Sequence, residues 1–223
     1  MKGSFWITYD YLKELGACGQ GLHAFKHAYP NGGEYQDILD KCTENNHTDY
    51  AAWLLDHVGP TEDVRVYEEE VNTAELEIVF AGRVIFKAGA VLKRLIAGTG
   101  IKAGTGIKAG EGIKAGTGIK AGTGIKAGWG IEAGTGIKAG WGIEAGTGIK
   151  AGEGIKAGTG IKAGWGIEAG EGIEAGEGIE AGEGYGIFAG LRIRVSRWSQ
   201  YAKVTAKTKP ENLISGFWDE EVK

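Results

Sequence analysis

Apolar and polar positions repeat with a strict six-residue period from Ile101 to Gly184. Each of fourteen consecutive hexads reads Ile, Lys or Glu, Ala, Gly, then Thr, Glu or Trp, then Gly. In an extended chain the Ile and Ala side chains of a hexad fall on one side and the charged side chain on the other. Each hexad is therefore predicted to form a three-residue strand followed by a corner. Such units bury their apolar sides only by stacking, which predicts a mainly β fold built around a β-solenoid.

The spacing of the tryptophans bears on how many hexads make one coil. Trp129 and Trp141 lie 12 residues apart and Trp165 lies 24 residues further on, so all three share one phase of a 12-residue period but not of an 18-residue period. We therefore predict about two hexads per coil, a thin two-sided solenoid with the three tryptophans along one edge. Seven such coils would measure roughly 33 Å at the usual distance between paired strands.

Two alternatives stay open at this point. A triangular coil of three hexads is the first, because duplication of 12-residue units would leave the same tryptophan spacing. A bundle of polyglycine-II-like helices is the second, although isoleucine at every sixth position suits a β core better. In the solenoid, the two glycines of each hexad are expected to form the corner because glycine adopts positive φ values without strain.

The residues before the hexads alternate less regularly. Residues 79–82 and 85–89 resemble hexads with larger apolar side chains, and terminal repeats of a solenoid are usually atypical. We therefore expect the solenoid to begin near residue 75. Ahead of it, residues 64–71 predict an edge strand in which the charges of Glu68 to Glu70 discourage aggregation.

The residues after the hexads also alternate. Apolar side chains from Leu191 to Val195 are separated by Arg192 and Arg194, which predicts a larger closing strand. Together with the residues around Trp198 and Val204, this strand is expected to form a strand-rich cap.

The first sixty residues follow a helical period instead. The clearest case is the apolar stripe of Tyr35, Ile38, Leu39 and Cys42. Four short helices are predicted, from Thr8 to Leu15, from Gly19 to Tyr29, around Tyr35 to Cys42, and from Thr48 to Val58. Thr8 and Thr48 are expected to be N-caps. Helices this short bury little surface, so we expect this head to dock on the rest of the chain or on a partner.

The chain is thereby divided into four regions. They are an acidic α-helical head (1–60), a β-rich N-terminal cap with degenerate repeats (61–100), the hexapeptide-repeat solenoid (101–184), and a β-rich C-terminal cap and tail (185–223).

Charge is segregated along the chain although the net charge is only −4. Residues 1–75 carry fourteen acidic and five basic side chains, whereas residues 101–165 carry nine lysines and four glutamates. Residues 166–184 then hold six glutamates and no basic residue. Such blocks are either interaction surfaces or solvated faces. An acidic block on a rigid rod would imitate phosphates and occupy a nucleic-acid-binding protein, because phosphate recognition depends mainly on charge.

Nine residues are the candidate partner-binding side chains. They are Trp129, Trp141, Trp165, Glu168, Glu171, Glu174, Glu177, Glu180 and Glu183. Tryptophans in water are unfavourable and are enriched in interface hot spots. They contact a partner or, alternatively, cover the head or another corner of the same chain.

No stretch predicts catalysis, a metal or a cofactor. Walker, nucleophile-elbow and zinc-protease motifs are absent from the sequence. His23 and His27 share a helical face and Cys18 and Cys42 lie nearby, but their spacing does not match the usual zinc-ligand order. We therefore expect a non-enzymatic protein with free thiols, typical of the cytoplasm. No apolar run reaches the roughly 20 residues of a membrane helix, so no membrane partner is expected.

The combination of the head with the hexads resembles small phage and prophage proteins. The resemblance is carried by Gly16-Ala17-Cys18, Gly21, Phe25, Pro30-Asn31-Gly32 and Asp49-Tyr50-Ala51-Ala52-Trp53-Leu54-Leu55, followed by the Gly-Ile-(Lys/Glu)-Ala-Gly repeats. It implies an accessory role in an infected bacterium, of which inhibition of a bacterial defence of the CRISPR type is the most concrete.

Three functional hypotheses follow from the sequence. The first is a cytoplasmic inhibitor that contacts a host protein or ribonucleoprotein with a basic surface and does not itself bind nucleic acid. The second is a structural phage or cell-surface repeat module, which would form homo-oligomers. The third is an ice-binding solenoid. It is the weakest hypothesis because Trp and Glu interrupt the threonine columns.

Overall fold

The strands of successive coils pair in parallel and form three β-sheets, which confirms the predicted β-solenoid. A computed structural model describes residues 5–219. It places the sheets as the three sides of one coiled chain, and each coil visits the sides in the same order. We name the sides the lysine face, the middle face and the head face, in chain order.

The lysine face has nine strands. They are Val64–Tyr67, Arg83–Phe86, Ile101–Ala103, Ile119–Ala121, Ile137–Ala139, Ile155–Ala157, Ile173–Ala175, Lys203–Thr205 and Phe217–Trp218.

The middle face has seven strands. They are Val71–Asn72, Ala90–Leu92, Ile107–Ala109, Ile125–Ala127, Ile143–Ala145, Ile161–Ala163 and Ile179–Glu180.

The head face has eight strands. They are Glu77–Phe80, Arg94–Ala97, Ile113–Ala115, Ile131–Ala133, Ile149–Ala151, Ile167–Ala169, Ile187–Phe188 and Leu213–Ser215.

Strand register shows that one coil contains three hexads, so the prediction of two hexads per coil is wrong. Ile107 lies opposite Ile125, and Ile125 lies opposite Ile143, at intervals of 18 residues. The fourteen hexads therefore fill fewer than five coils and extend roughly 22 Å instead of 33 Å. The tryptophan spacing gave a wrong prediction because a 12-residue unit in the sequence need not correspond to one coil of the structure. The triangular coil of three hexads is correct.

In the hexad repeats, the core of the rod consists of isoleucine and alanine side chains that point toward the axis. In the strand Ile137–Ala139, for example, Ile137 and Ala139 are buried while Lys138 is exposed. The same pattern recurs from strand to strand, so the apolar side chains stack in continuous columns. Burial of this kind contributes about 25 cal/mol per Å² of apolar surface. Removing any one coil would expose the columns of its neighbours.

The hexad glycines serve a different purpose from the one expected. None of those between Ile101 and Glu183 has a positive φ. Instead, a Cβ atom on the first glycine of a corner would overlap a carbonyl oxygen of the preceding coil, as Gly140 shows against Gly122. A triangular coil bends less at each corner than a two-sided one, so no left-handed backbone is required. Glycine is needed there because neighbouring coils approach so closely.

The N-terminal end of the solenoid lies earlier than predicted. Its first strand is Val64–Tyr67, an edge strand of the lysine face as expected, and not a strand near residue 75. Glu68 to Glu70 follow in the connection to the strand Val71–Asn72.

The C-terminal cap departs from the predicted closing strand. Gly190 has a φ of 75°, and the chain turns there instead of continuing through Leu191–Val195 as a strand. A 3₁₀ helix, Val195–Arg197, and an α-helix, Trp198–Tyr201, follow. Leu191 and Val195 are largely exposed, so apolar alternation here did not indicate a half-buried strand.

The head contains the four predicted helices. They are α1 (Tyr9–Glu14), α2 (Gly19–Ala28), α3 (Tyr35–Glu44) and α4 (Thr48–Val58). A two-stranded sheet joins Trp6–Ile7 to Gly33–Glu34. Thr8 caps α1 by accepting a hydrogen bond from the Tyr11 amide, but Thr48 is the first residue of α4 and not its N-cap.

The head docks on the outer side of the first coils of the head face. Val79 and Ile96, which point outward from their strands, join the core of the head together with Leu55. The Gln36 side-chain amide bonds to the backbone of Val79 and Ala81 at 3.0 and 2.9 Å. The head is therefore fixed against the rod by an apolar contact and by backbone hydrogen bonds.

Candidate functional site: three grooves and their edges

Each face of the rod carries a shallow groove along the axis. Its walls are the corner side chains on one side and the outward Lys or Glu of each strand on the other, while glycine and isoleucine form the floor. Backbone groups of the floor are used by bonds between coils, as from the Ile143 amide to the Gly160 carbonyl. Recognition in a groove therefore depends on the wall side chains, which differ among the three faces.

The three tryptophans occupy two edges and not the single predicted one. Corner backbones bond from coil to coil, Thr147 to Trp129 and Trp165 to Thr147, which places Trp129 and Trp165 on the edge between the middle and head faces. Trp141 bonds in the same way to Thr123, on the edge between the lysine and middle faces. A predicted row of adjacent tryptophans thus becomes one pair and one single residue.

We call the groove on the head face the aromatic groove. Trp129 and Trp165 form its edge wall, and Tyr185 and Phe188 close it toward the C-terminal cap. Lys114, Glu132, Lys150 and Glu168 alternate in charge along the opposite wall. The groove encloses about 710 Å³ and begins directly below the head, where Lys114 pairs with Asp56 at 3.1 Å.

Both tryptophans of this groove are half-exposed yet held in place. The Arg94 guanidinium lies 5.5 Å from the centre of the Trp129 ring, and the Trp165 ring stacks on Tyr185 at 5.9 Å. Each ring is about 52% exposed, whereas Trp141 has no ring partner among residues 5–219 and is 65% exposed. Braced aromatic side chains lose little entropy when a partner covers them.

Arg94 is itself anchored between the head and the rod. It bonds Asp49 of α4 at 3.0 Å and Glu111 of the next coil at 2.7 Å. Burial alone would lower the pKa of Arg94, but the hydrogen bonds to these carboxylates outweigh it and the pKa is raised. Its charge is therefore permanent, and Trp129 is positioned by the docked head.

The six glutamates of residues 166–184 encircle a single coil. Glu168, Glu174 and Glu180 lie on the three faces and pair with lysines of the preceding coil at 3.6, 2.6 and 3.0 Å. Glu171, Glu177 and Glu183 lie at the three corners and have no ion pair among residues 5–219. The acidic block is thus a ring, half of it neutralised, and not a linear array.

A partly enclosed cavity lies within the head. It measures about 420 Å³ and is lined by apolar side chains of all four helices, among them Phe25, Ile38 and Trp53. Cys42 also lines it, and burial raises the pKa of its thiol to about 11. Cys42 is therefore protonated near neutral pH, as expected for a structural thiol.

The remaining candidates from the sequence stay apart. His23, His27 and Cys18 are exposed on or beside α2. Within residues 5–219, no three His, Cys, Asp or Glu side chains come together in a way that could hold a metal ion. No helix in that part of the chain has the length and apolar character needed to cross a membrane.

Sequence reasoning missed the partners that complete the aromatic groove, namely Arg94, Tyr185 and Phe188. An 18-residue period would have placed Trp129 and Trp165 in one column, since they lie 36 residues apart.

Comparison with known proteins gives one match. Residues 1–58 match the family model of the YdhT N-terminal domain, which covers the head and leaves the rod unmatched. No curated protein and no solved structure is significantly similar to the chain.

Proposed function

We propose that this protein is a non-enzymatic binding protein that recognises a partner protein through the aromatic groove. The observation that supports it is the pairing of Trp129 and Trp165 two coils apart on one rigid edge, each ring exposed and braced. Aromatic side chains with arginine beside them are the usual anchors of protein interfaces.

The rod gives this pair a fixed spacing. Two coils separate the tryptophans by roughly 10 Å at the usual distance between paired strands. Thr147, a much smaller side chain, lies between them and leaves room for one side chain of the partner. Little of the binding free energy would be spent on ordering the site, because the backbone on which it is built is hydrogen-bonded throughout.

For the partner we propose a bacterial defence complex of the CRISPR type in the host cytoplasm, with inhibition as the consequence. The support for this target is the resemblance to phage proteins stated above. Glu183, which has no ion pair among residues 5–219 and lies beside Trp165, would meet a basic surface of that complex. We favour direct contact over imitation of nucleic acid because the acidic ring is half neutralised and encircles the rod.

The test is affinity capture from a bacterial host lysate followed by reconstitution of the complex. Trp129→Thr and Trp165→Thr together introduce the residue that other hexads already carry at this corner, so the fold should be retained. We expect this double variant to weaken the captured complex by about 100-fold to 1000-fold, since each hot-spot tryptophan contributes about 2 kcal/mol.

Trp141→Thr is the matched control, because it removes a more exposed tryptophan from the other edge. It should bind like the unchanged protein. Equal loss in the control, or a double variant that binds normally, would contradict the proposed groove. Trimers or filaments in light scattering, without a captured partner, would favour the structural module instead.

A further inference from the structure

We propose that the lysine face binds a linear anionic polysaccharide with one carboxylate per sugar. This inference concerns a different face from the aromatic groove and is independent of the proposed function. It rests on the charge pattern that only the 18-residue coil creates.

Lysines form an unbroken column on this face alone. Lys102 lies opposite Lys120, Lys120 opposite Lys138, and Lys138 opposite Lys156, in successive coils. Lys102, Lys120 and Lys138 are exposed and have no ion-pair partner among residues 5–219. Lys156 pairs with Glu174 at 2.6 Å and ends the column.

Among residues 5–219, the lysines at corresponding positions on the other two faces each have an ion-pair partner, except Lys108 on the middle face. On the middle face, Lys126 pairs with Glu144 and Lys162 with Glu180, at 2.8 and 3.0 Å. On the head face, lysine and glutamate alternate and Lys114 is bound by Asp56 of the head. Like charges in adjacent strands are unfavourable, so the column of lysines lowers the stability of the rod until an anionic ligand neutralises it.

The groove beside this column adds further donors. It encloses about 840 Å³, with Arg83 at its N-terminal end and the hydroxyls of Thr117 and Thr135 on the wall opposite the lysines. Arg83 has no ion pair within the described residues. A chain lying beside Lys102, Lys120 and Lys138 would therefore meet ammonium groups on one side and hydroxyl groups on the other. Next to Lys156, Glu153 takes the place of threonine on the opposite wall.

The spacing of the charges favours a polysaccharide over a nucleic acid. Lysines recur about every 4.8 Å, the distance between paired strands. This is close to the rise per sugar of an extended two-fold hexuronate chain, in which every second carboxylate would face the column, so the chain stays in register with alternate lysines. A stacked nucleic-acid strand has one phosphate per about 3.4 Å and would drift out of register by about 4 Å over the column.

Side-chain chemistry leads to the same choice. Single-stranded nucleic acids bind where aromatic rings stack on the bases. The groove of the lysine face has only Tyr201, near its C-terminal end, and none beside Lys102, Lys120 or Lys138. A second copy of this face is excluded as the partner because the two columns would repel each other.

The experiment uses the full chain and short oligomannuronates in isothermal titration at low salt. We expect binding that weakens as salt is added, and no binding of an uncharged glucan of the same length. Lys102→Gln, Lys120→Gln and Lys138→Gln together should weaken binding by at least about tenfold. The corresponding triple Lys→Arg variant should retain it, and Trp129→Thr with Trp165→Thr should leave it unchanged.

The matched control is Lys108→Gln, Lys126→Gln and Lys162→Gln, which removes the same net charge from the same hexad position on the middle face. It should change oligomannuronate binding by less than about twofold. Equal losses in the two triple variants would overturn the assignment to the lysine face. Absence of oligomannuronate binding, or tighter binding of an oligothymidylate of equal charge, would overturn the proposed ligand.

Discussion

The head and the rod stabilise themselves in opposite ways. In the head, each buried side chain occurs once, and Tyr35, Ile38 and Leu39 fill positions that no other residue shares. In the rod between Ile101 and Ala175, the same two residue types, isoleucine and alanine, are buried in every strand. The environment of a residue in the head therefore depends on its particular three-dimensional neighbours, whereas the environment of a residue in the rod depends on its position within the repeating coil.

The two regions meet where the repeat is broken. Val79 and Ile96 occupy the outward position that lysine or glutamate takes in a regular hexad, and the head covers them. Degenerate repeats at this end are therefore the binding surface of the head. The rod beyond them returns to charged outward residues and is free to present grooves.

The largest expected effect comes from close approach between coils. Gly140→Ala would place a methyl group onto the carbonyl oxygen of Gly122, which is backbone and can move only if the coils separate. We expect a loss of about 4 kcal/mol or more in the free energy of unfolding, measured by urea titration. The rod should unfold at lower urea while the head keeps its own transition.

Gly142→Ala is the matched control for this substitution. Its methyl group would lie 3.4 Å from the Gly160 carbonyl oxygen, close to an ordinary contact. Its effect should stay within about 1 kcal/mol, since the entropy lost by the unfolded chain offsets slight crowding. If the two variants have equal stability, close contact between coils does not explain why glycine occupies the first corner position of each hexad.

The next effect concerns the contact between head and rod. Val79→Lys restores a hexad-like charge at a position that is fully covered by the head. An unpaired ammonium there should cost about 3 kcal/mol or more and release the head from the rod. We expect rapid proteolysis between residues 59 and 63, with the strand signal in circular dichroism retained.

Val91→Lys makes the same change at an outward, half-exposed position of the middle face. It should leave the head protected from proteolysis. A protected head in the Val79→Lys protein would mean that the apolar contact does not hold the two regions together.

The smallest expected effect is a difference between the head and the rod in how their stability depends on pH. Burial raises the pKa of the Cys42 thiol from 9.0 to about 11, so the folded head favours the protonated form. Its contribution to stability is complete below pH 9 and is lost as the pH rises from 9 toward 11, by roughly 1–2 kcal/mol. Burial also raises the pKa of Tyr35, in the same direction.

The rod has no buried ionisable side chain among residues 101–179. Raising the pH from 8 to 10.5 should therefore lower the melting temperature of the head more than that of the rod, as measured by thermal unfolding at both pH values. Cys42→Ala should reduce this difference, whatever its own effect at pH 8. If the melting temperature of the rod falls as steeply as that of the head, the pH dependence does not come from the buried ionisable side chains of the head.

Local patterns were sufficient for the secondary structure but not for the coil. The stripe of Tyr35, Ile38 and Leu39 predicted α3, and Ile-Lys-Ala predicted a strand with an outward lysine; both are confirmed. The tryptophan spacing failed because side chains at corners do not determine the pairing of strands. At Leu191–Val195 the alternation failed since the positive φ of Gly190 turns the chain away from the sheet.

By itself, the sequence determined that this chain forms a helical head and a stacked β rod, because helical and alternating periods act over a few neighbouring residues. Only the tertiary structure decided how many hexads close a coil, since that depends on contacts between residues 18 positions apart. From that number follow the separation of Trp141 from Trp129 and Trp165, the ring of glutamates and the column of lysines. A repeat protein presents its surface side chains in columns that a partner can contact, and these columns form only when the coils stack.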